Sequence, residues 1–244
     1  LWSIREVVSL MSEEDDYSYD YFSFAARRAD GSVVTWGPIE AGDSRAVRRQ
    51  LVEVECLCSN QWSFVAKKWN GEVIAWGDSM YGGNTGPVRE YLFSVNTIVS
   101  TKRAFAALRV DGTVVAWGDS RNGGDVSSVR DELSCIRQVF ATWYAFAALK
   151  QDVCNSAVVV WGNNDHGGDA GSVAAQLQSI LTIVPGPLAF AAIKNPQRSV
   201  VSWGEHWMGS LTRSSIPLSN VSSIAANMGA FAAVDATGTA FTWG

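Results

Sequence analysis

The groups in this 244-residue chain best suited to acid–base, metal or nucleophilic chemistry are two histidines, four cysteines and one dense acidic stretch. His166 and His206 each follow a Trp-Gly pair within a Gly-rich loop. Two imidazoles on one rim are a beginning of a metal site, but no third ligand stands at a supporting spacing, so solvated loop residues are the simpler reading. Cys56, Cys58, Cys135 and Cys154 match no zinc pattern; Cys56-x-Cys58 places two thiols on one strand face, and buried free thiols account for them more simply than a disulfide or a metal. The acidic stretch holds Glu13, Glu14, Asp15, Asp16 and Asp20, interleaved with Tyr17, Tyr19 and Tyr21. It reads as an acidic–aromatic arm for a basic partner, as a weak calcium site, or as a solvated loop. No Ser-based nucleophile elbow and no phosphate-binding loop occur, so no catalytic residue, cofactor or metal is assigned. The candidate partner-binding residues are Glu13, Glu14, Asp15, Asp16, Tyr17, Tyr19, Tyr21, Tyr81, Trp143, His166, His206 and Trp207.

The elements that position these groups are set by an internal repeat. Trp-Gly recurs at Trp36, Trp76, Trp117, Trp161, Trp203 and Trp243, spaced 40, 41, 44, 42 and 40 residues apart. A Phe precedes each, at Phe24, Phe64, Phe105, Phe146, Phe190 and Phe231. Upstream of each Phe stands an apolar triplet such as Leu51-Val54-Leu57 or Leu177-Ile180-Ile183. These anchors divide the chain into units of about 1–50, 51–91, 92–132, 133–176, 177–217 and 218–244.

Within each unit, the stretch from Phe to Trp-Gly predicts a β-hairpin. In the third unit, Asp111-Gly112 supplies a tight two-residue turn. That turn pairs Leu108 with Val115 and Ala106 with Trp117, and puts Phe105, Ala107, Val114 and Ala116 on the other face. Both faces are then apolar, and the hairpins need cover on both sides. After Trp-Gly, a Gly-rich loop leads into a short helix of about two turns, with pairs such as Val129 and Leu133 four residues apart. A third strand follows on the Val/Ile anchor. The expected fold is all-β with short loop helices: one β-propeller domain, 1–244, of six roughly 41-residue, three-stranded blades, either complete as six or continued in a seven-bladed or longer array. Small Ala residues on one face of a blade leave room for the Phe and Trp of its neighbour.

The pattern Phe-Ala-Ala-Leu-x-x-Asp-Gly-x-Val-Val-x-Trp-Gly, seen from Phe105 to Gly118, resembles the regulator-of-chromosome-condensation repeat family, most closely its short-blade members. The resemblance covers nearly the whole chain. It implies a propeller used mainly as a rigid binding platform, usually seven-bladed. Longer members carry a His near the strand equivalent to Phe105 and a Gly-Gln-Leu-Gly loop after Trp-Gly. Here Ala-Phe-Ala-Ala and Gly-Gly-Asp stand instead, so nucleotide exchange and chromatin binding are not carried over.

Where a unit breaks the repeat, its individuality is expected to lie. The first unit carries the acidic insertion; the fourth loses its tight turn at 151–156; Trp207 replaces a small loop residue in the fifth. Four residues after each Phe stand Arg28, Lys68, Arg109, Lys150, Lys194 and Asp235, a charged circle that either solubilises strand ends or orients a partner. Asp78, Asp119, Asn163 and Glu205 follow Trp-Gly and carry the same two readings. A net charge of −5 opposes broad nucleic-acid binding, and no apolar run reaches membrane-span length. The composition, 47% hydrophobic with 22 Gly and 11 Trp, excludes a disordered chain and argues against a helical bundle. The expected role is a non-catalytic protein-protein interaction module or accessory subunit of a larger assembly, binding protein partners through rim loops without cofactor. The alternatives are an enzyme with a site at a central channel, and an inhibitor-like or carbohydrate-binding propeller. Localisation is not assigned.

Overall fold

A computed structural model describes residues 3–12, 21–37, 43–209 and 218–244, with the side chains of 10–12, 21, 22 and 152 outside the description. The chain forms two compact units, Leu1–Asp125 and Val126–Gly244.

The first unit contains three antiparallel sheets of three strands in sequence order. They are β1 (Ile4–Ser12), β2 (Tyr21–Arg28) and β3 (Val33–Trp36); β4 (Val54–Ser59), β5 (Ser63–Lys68) and β6 (Val73–Gly77); and β7 (Val95–Ser100), β8 (Ala104–Arg109) and β9 (Val114–Gly118). The second unit repeats this arrangement. Its strands are β10 (Ile136–Ala141), β11 (Ala145–Lys150) and β12 (Val158–Gly162); β13 (Ile180–Pro185), β14 (Ala189–Lys194) and β15 (Val200–Gly204); and β16 (Val221–Ala226), β17 (Phe231–Asp235) and β18 (Ala240–Trp243). Each sheet is one blade, and the three-strand expectation holds in all six.

The hairpin register differs by one residue from the two-residue-turn expectation. Phe105 pairs with Trp117, Ala106 with Ala116, Ala107 with Val115 and Leu108 with Val114. The loop has three residues: the Gly112 amide donates to the Arg109 carbonyl, and the Arg109 amide donates to the Thr113 carbonyl. Gly112 alone takes positive φ, at 80°. This is a turn closed by a bulge glycine, which Asp-Gly serves as well as it serves a two-residue turn. The Asp111 carboxylate decides between them by accepting from the amide (3.0 Å) and hydroxyl (2.6 Å) of Thr113. The shift puts Phe and Trp on the same face, opposite each other and stacked, with centroids 5.3 Å apart in Phe64–Trp76 and 5.4 Å in Phe105–Trp117.

Blades bury a small-residue face against the aromatic face of the next blade. Ala25, Val8 and Val33 of the first blade pack with Leu51, Val54, Leu57, Phe64 and Trp76 of the second. Val65, Val73 and Ala75 of the second pack with Leu92, Val95, Phe105 and Trp117 of the third. In the second unit, Ala145, Ala147 and Leu149 pack with Leu177, Ile180, Phe190 and Trp203, and Ala189, Ala191 and Ile193 pack with Leu218, Val221, Phe231 and Trp243. Each fully buried Phe contributes on the order of 1.5–3 kcal/mol. Every blade bulges after its first anchor, for example between Val54 and Cys56. Residues at this bulge accept cations from neighbouring segments: Lys67 donates to the Asn96 carbonyl (2.7 Å) and Arg137 to that of Leu181 (2.8 Å).

The expected short helices are 3₁₀ turns of three to six residues: Arg48–Gln50, Gly86–Tyr91, Arg130–Glu132 and Gly171–Gln176. Segments this short cannot sustain an α-helical nucleus, whereas i→i+3 bonds close in one turn. Each turn delivers a buried Leu whose amide closes it, as Leu92 does on the Arg89 carbonyl. In the fourth blade the 151–156 insertion forms a turn at Asp152–Cys154 beyond the hairpin end. The Phe146–Trp161 pairing is therefore kept.

Candidate interaction surface

In the second to fifth blades, the loop joining the first two strands meets the segment after Trp-Gly. The ladder continues through backbone bonds from Asp78 to Trp62, Asp119 to Arg103, Asn163 to Tyr144 and Glu205 to Leu188. A polar side chain four residues before the Phe fixes the loop and its neighbour together. Asn60 accepts from the amides of Trp62 and Ser63 and donates to the Tyr81 carbonyl at 2.7 Å. The Thr101 hydroxyl accepts from the Ala104 amide and donates to the Asn122 carbonyl. Thr142 does the same with Ala145 and His166.

The segments after Trp-Gly are 3₁₀ turns at Ser79–Tyr81, Ser120–Asn122, Asn164–His166 and His206–Met208. Asp78, Asp119 and Asn163 cap three of them by accepting from the amides of Met80, Arg121 and Asp165. These side chains shape the loop. Glu205 makes no such cap bond.

The Gly-rich loop locks this surface to the next blade. Gly82 has φ of 102°, and a Cβ there would lie 2.6 Å from the Phe105 ring. Gly167 repeats this against Phe190, at 2.8 Å. The carbonyls of Gly82, Gly167 and Gly209 accept from the indole N–H of Trp117, Trp203 and Trp243, at 3.0, 3.2 and 2.9 Å. Only glycine brings the backbone this close with that φ.

Upon this framework the loops display aromatic and thioether side chains. In the first unit the Trp62 and Tyr81 rings lie 5.4 Å apart, and the Arg103 guanidinium sits 5.4 Å over Tyr81. Met80 beside them is 70% exposed. In the second unit Trp143 meets Tyr144 edge-on, and Tyr144 lies 5.0 Å from His166. His166 Nδ1 bonds Asn163 at 2.8 Å, and its Nε2 lies 4.0 Å from the Glu205 carboxylate. Trp207 is 83% exposed and Met228 65%.

The candidate residues Tyr81, Trp143, His166, His206 and Trp207 thus all fall on this loop class: Tyr81 in the first unit, the other four in the second. Glu13, Glu14, Asp15, Asp16, Tyr17 and Tyr19 lie outside the described residues; Tyr21 begins β2, its side chain outside the description. Sequence reading missed Trp62, Met80, Arg103, Tyr144 and Met228. The available signal was position within the repeat, two or three residues before the Phe or just after Trp-Gly. The anchoring Asn60, Thr101 and Thr142 were equally visible as a polar position four residues before the Phe.

At the hairpin-turn end, three of the basic residues are engaged locally. Arg28 donates to Ser32, Lys68 pairs with Glu72 at 3.0 Å, and Arg109 bonds Thr113 while lying 3.8 Å over Phe93. Among the described residues no group of three or more His, Cys, Asp or Glu is placed to hold a metal ion. The four cysteines are free thiols. Burial pushes the Cys58 thiol up to about 11 and also raises that of Cys56, while Cys154 is raised by its bond with Cys135. No helix among the described residues is long and apolar enough to cross a membrane.

No family model matches the sequence, and no curated protein matches it. Solved structures do match in fold. The ectodomain of the Physcomitrella patens receptor kinase CR4 is 16% identical with a TM-score of 0.57 over 100% of this chain, which spans 65% of that ectodomain. Yeast RCC1 (Prp20), solved with Kap60, is 17% identical with a TM-score of 0.53 over 91% of this chain and 68% of its own. Human WBSCR16 is 15% identical with a TM-score of 0.53, over 91% and 74%. Six three-stranded blades, the Phe–Trp pairing and these likenesses together give this chain the fold of an RCC1-like β-propeller.

Proposed function

We propose that residues 1–244 form one propeller domain that acts as a non-catalytic protein-protein interaction module, an accessory subunit of a larger assembly that binds through its rim loops. The observation that carries this reading is the display of Trp207 and Met228 in the second unit, and of Met80 beside the Trp62–Tyr81–Arg103 stack in the first, on loops held by hydrogen bonds: Asn60 to the Tyr81 carbonyl, the amides of Gly229 and Ala230 to Asn227, and the Glu205 amide to the Leu188 carbonyl ahead of Trp207. Aromatic, Met and Arg side chains are the types enriched in the cores of protein interfaces. A rigid platform lowers the ordering cost of binding. The yeast neighbour of the same fold is solved bound to Kap60, and its binding to Gsp1p and histones has been described; this supports the use of such a fold as a platform.

The test is affinity purification from the native source with wild-type chain and with the double variant Trp207→Ala/Met228→Ala. Both side chains are exposed, so the unfolding midpoint is expected to stay put. Stoichiometric partners retained by wild type and reduced at least tenfold with the variant support the proposal. Partners retained equally by both place binding elsewhere and overturn the loop assignment.

A further inference from the structure

The insertion that replaces the tight turn of the fourth blade brings two cysteines together. Ile136 of β10 pairs with Lys150 of β11, and just beyond that pair the Gln151 amide donates to the Cys135 carbonyl at 2.8 Å. The chain then folds back through the Asp152–Cys154 turn, closed by the Cys154 amide on the Gln151 carbonyl at 2.8 Å. The thiols of Cys135 and Cys154 share a hydrogen bond, so the two sulfurs are already neighbours. Both are free and only half-buried, within reach of a small solute.

The second, third, fifth and sixth blades have no counterpart of this contact. There the position of Cys135 holds Glu53, Ser94, Ser179 and Asn220, whose carbonyls accept from the turn amides of Trp69, Val110, Asn195 and Ala236. Those turns carry no cysteine. The insertion also reaches forward to the fifth blade. The Asn155 and Ser156 carbonyls accept from the amides of Ser179 and Ile180, both at 3.0 Å. Asn155 and Ser156 hold φ of 61° and 44°, left-handed backbone that a side chain disfavours. Two such residues in succession favour opening of the insertion, and a cross-link at its base opposes it.

We propose that Cys135 and Cys154 are a dithiol site that closes reversibly to a disulfide by exchange with a low-molecular-weight disulfide, pinning the insertion to the start of β10. One cysteine loses its proton, and its thiolate attacks a sulfur of the small disulfide; a mixed disulfide forms and one small thiolate leaves. The other cysteine, likewise deprotonated, attacks the protein sulfur of that mixed disulfide. The Cys135–Cys154 bond forms and the second small thiolate leaves. The two cysteines are oxidised, the small disulfide is reduced to two thiols, and the two protons end on those thiols.

The test exposes the purified full chain to glutathione disulfide, alkylates it under denaturing conditions and maps its peptides without reduction. Wild type is expected to lose two hydrogens and to yield the Cys135 peptide joined to the Cys154 peptide, with Cys56 and Cys58 recovered as alkylated thiols. Cys135→Ser and Cys154→Ser are each expected to stop at a glutathione adduct on the cysteine that remains. Should either variant fail to fold, the wild-type map decides alone. Amide exchange at Ser179 and Ile180 is expected to slow about tenfold in the oxidised chain and to recover on reduction with dithiothreitol. A wild-type chain that stays reduced, stops at the glutathione adduct or joins any other pair of cysteines overturns the proposal. Exchange at Ser179 and Ile180 that ignores the disulfide overturns the pinning.

Discussion

Replacing Gly82 by alanine isolates how the Gly-rich loop joins two blades. Gly82 holds φ at 102°, and the added Cβ would stand 2.6 and 2.9 Å from Phe105 ring carbons and 3.3 Å from the Trp117 indole nitrogen. A non-glycine residue in left-handed backbone costs roughly 1–2 kcal/mol. Forcing a methyl into a packed aromatic pair costs about 1–3 kcal/mol more. Gly82→Ala is therefore expected to destabilise the third blade by about 2–5 kcal/mol. Gly238→Ala is the control, since Gly238 has φ of 87° and a Cβ added there would meet nothing within 4 Å. It carries the conformational cost alone, about 1–2 kcal/mol. Urea unfolding followed by amide exchange, in β8 and β9 for Gly82→Ala and in β17 and β18 for Gly238→Ala, gives the two values blade by blade, which a repeat architecture requires. The Trp117 indole N–H, bonded to the Gly82 carbonyl, is expected to exchange faster in Gly82→Ala and unchanged in Gly238→Ala. Equal destabilisation within about 0.5 kcal/mol, with the indole proton unaffected, refutes the packing role of this loop.

Three further outcomes are expected. Asp111 sits below its ordinary pKa of 3.8 chiefly because the Thr113 hydroxyl and amide donate to the carboxylate, so its contribution is full only well above 3.8 and fades as pH falls through that value and on through the lowered folded pKa; the urea midpoint of Asp111→Asn is expected to change less with acidification than that of wild type, and parallel curves contradict this. Cys58, raised to about 11 by burial, is expected to resist iodoacetamide at pH 8 in the folded chain and to react at least a hundredfold faster in urea; rapid native labelling, read by peptide mass spectrometry, contradicts its placement. Asn60→Ala removes three hydrogen bonds from a buried loop residue and is expected to cost about 1–3 kcal/mol while speeding amide exchange at 79–83; unchanged exchange there refutes the pinning of that turn.

Much of this fold is legible in the sequence because its signals are periodic. The Trp-Gly spacing gives the blades, and the Ala-rich strands beside Phe and Trp indicate that small faces meet large ones. The register is not legible in the same way. Asp111-Gly112 suits both a two-residue turn and a three-residue turn with a bulge glycine, and the choice rests on the Asp111–Thr113 bonds. That single residue moves Trp117 from opposite Ala106 to opposite Phe105. The loop helices are shorter than their spacing suggests for a related reason: Val129 and Leu133 have helical spacing, but a single turn at 127–129 leads into a 3₁₀ segment of only Arg130–Glu132, and the buried Leu133 ends it.

The candidate surface was partly legible. Trp207 stands out because it replaces a small loop residue, Tyr81 and Trp143 as aromatics unmatched in the repeat and His166 as one of two histidines; the structure places Tyr81, His166 and Trp207 in turns after Trp-Gly and Trp143 in the adjoining loop before β11. Asp78 and Asp119 read from sequence as rim charges, but their first partners are backbone amides of their own turns. Local hydrogen bonding of this kind leaves no trace in charge patterning.

The central claim is that partners bind through the rim loops. The most direct measurement is hydrogen–deuterium exchange on the chain purified with its bound partner, compared with the free chain. The account predicts protection at loops of this class: 60–62 and 78–83 in the first unit, 142–144, 163–168 and 205–209 in the second, or either group. It predicts none at the hairpin turns around Asn70, Asp111 and Thr237. Protection confined to those hairpin turns, with the rim loops unchanged, contradicts it.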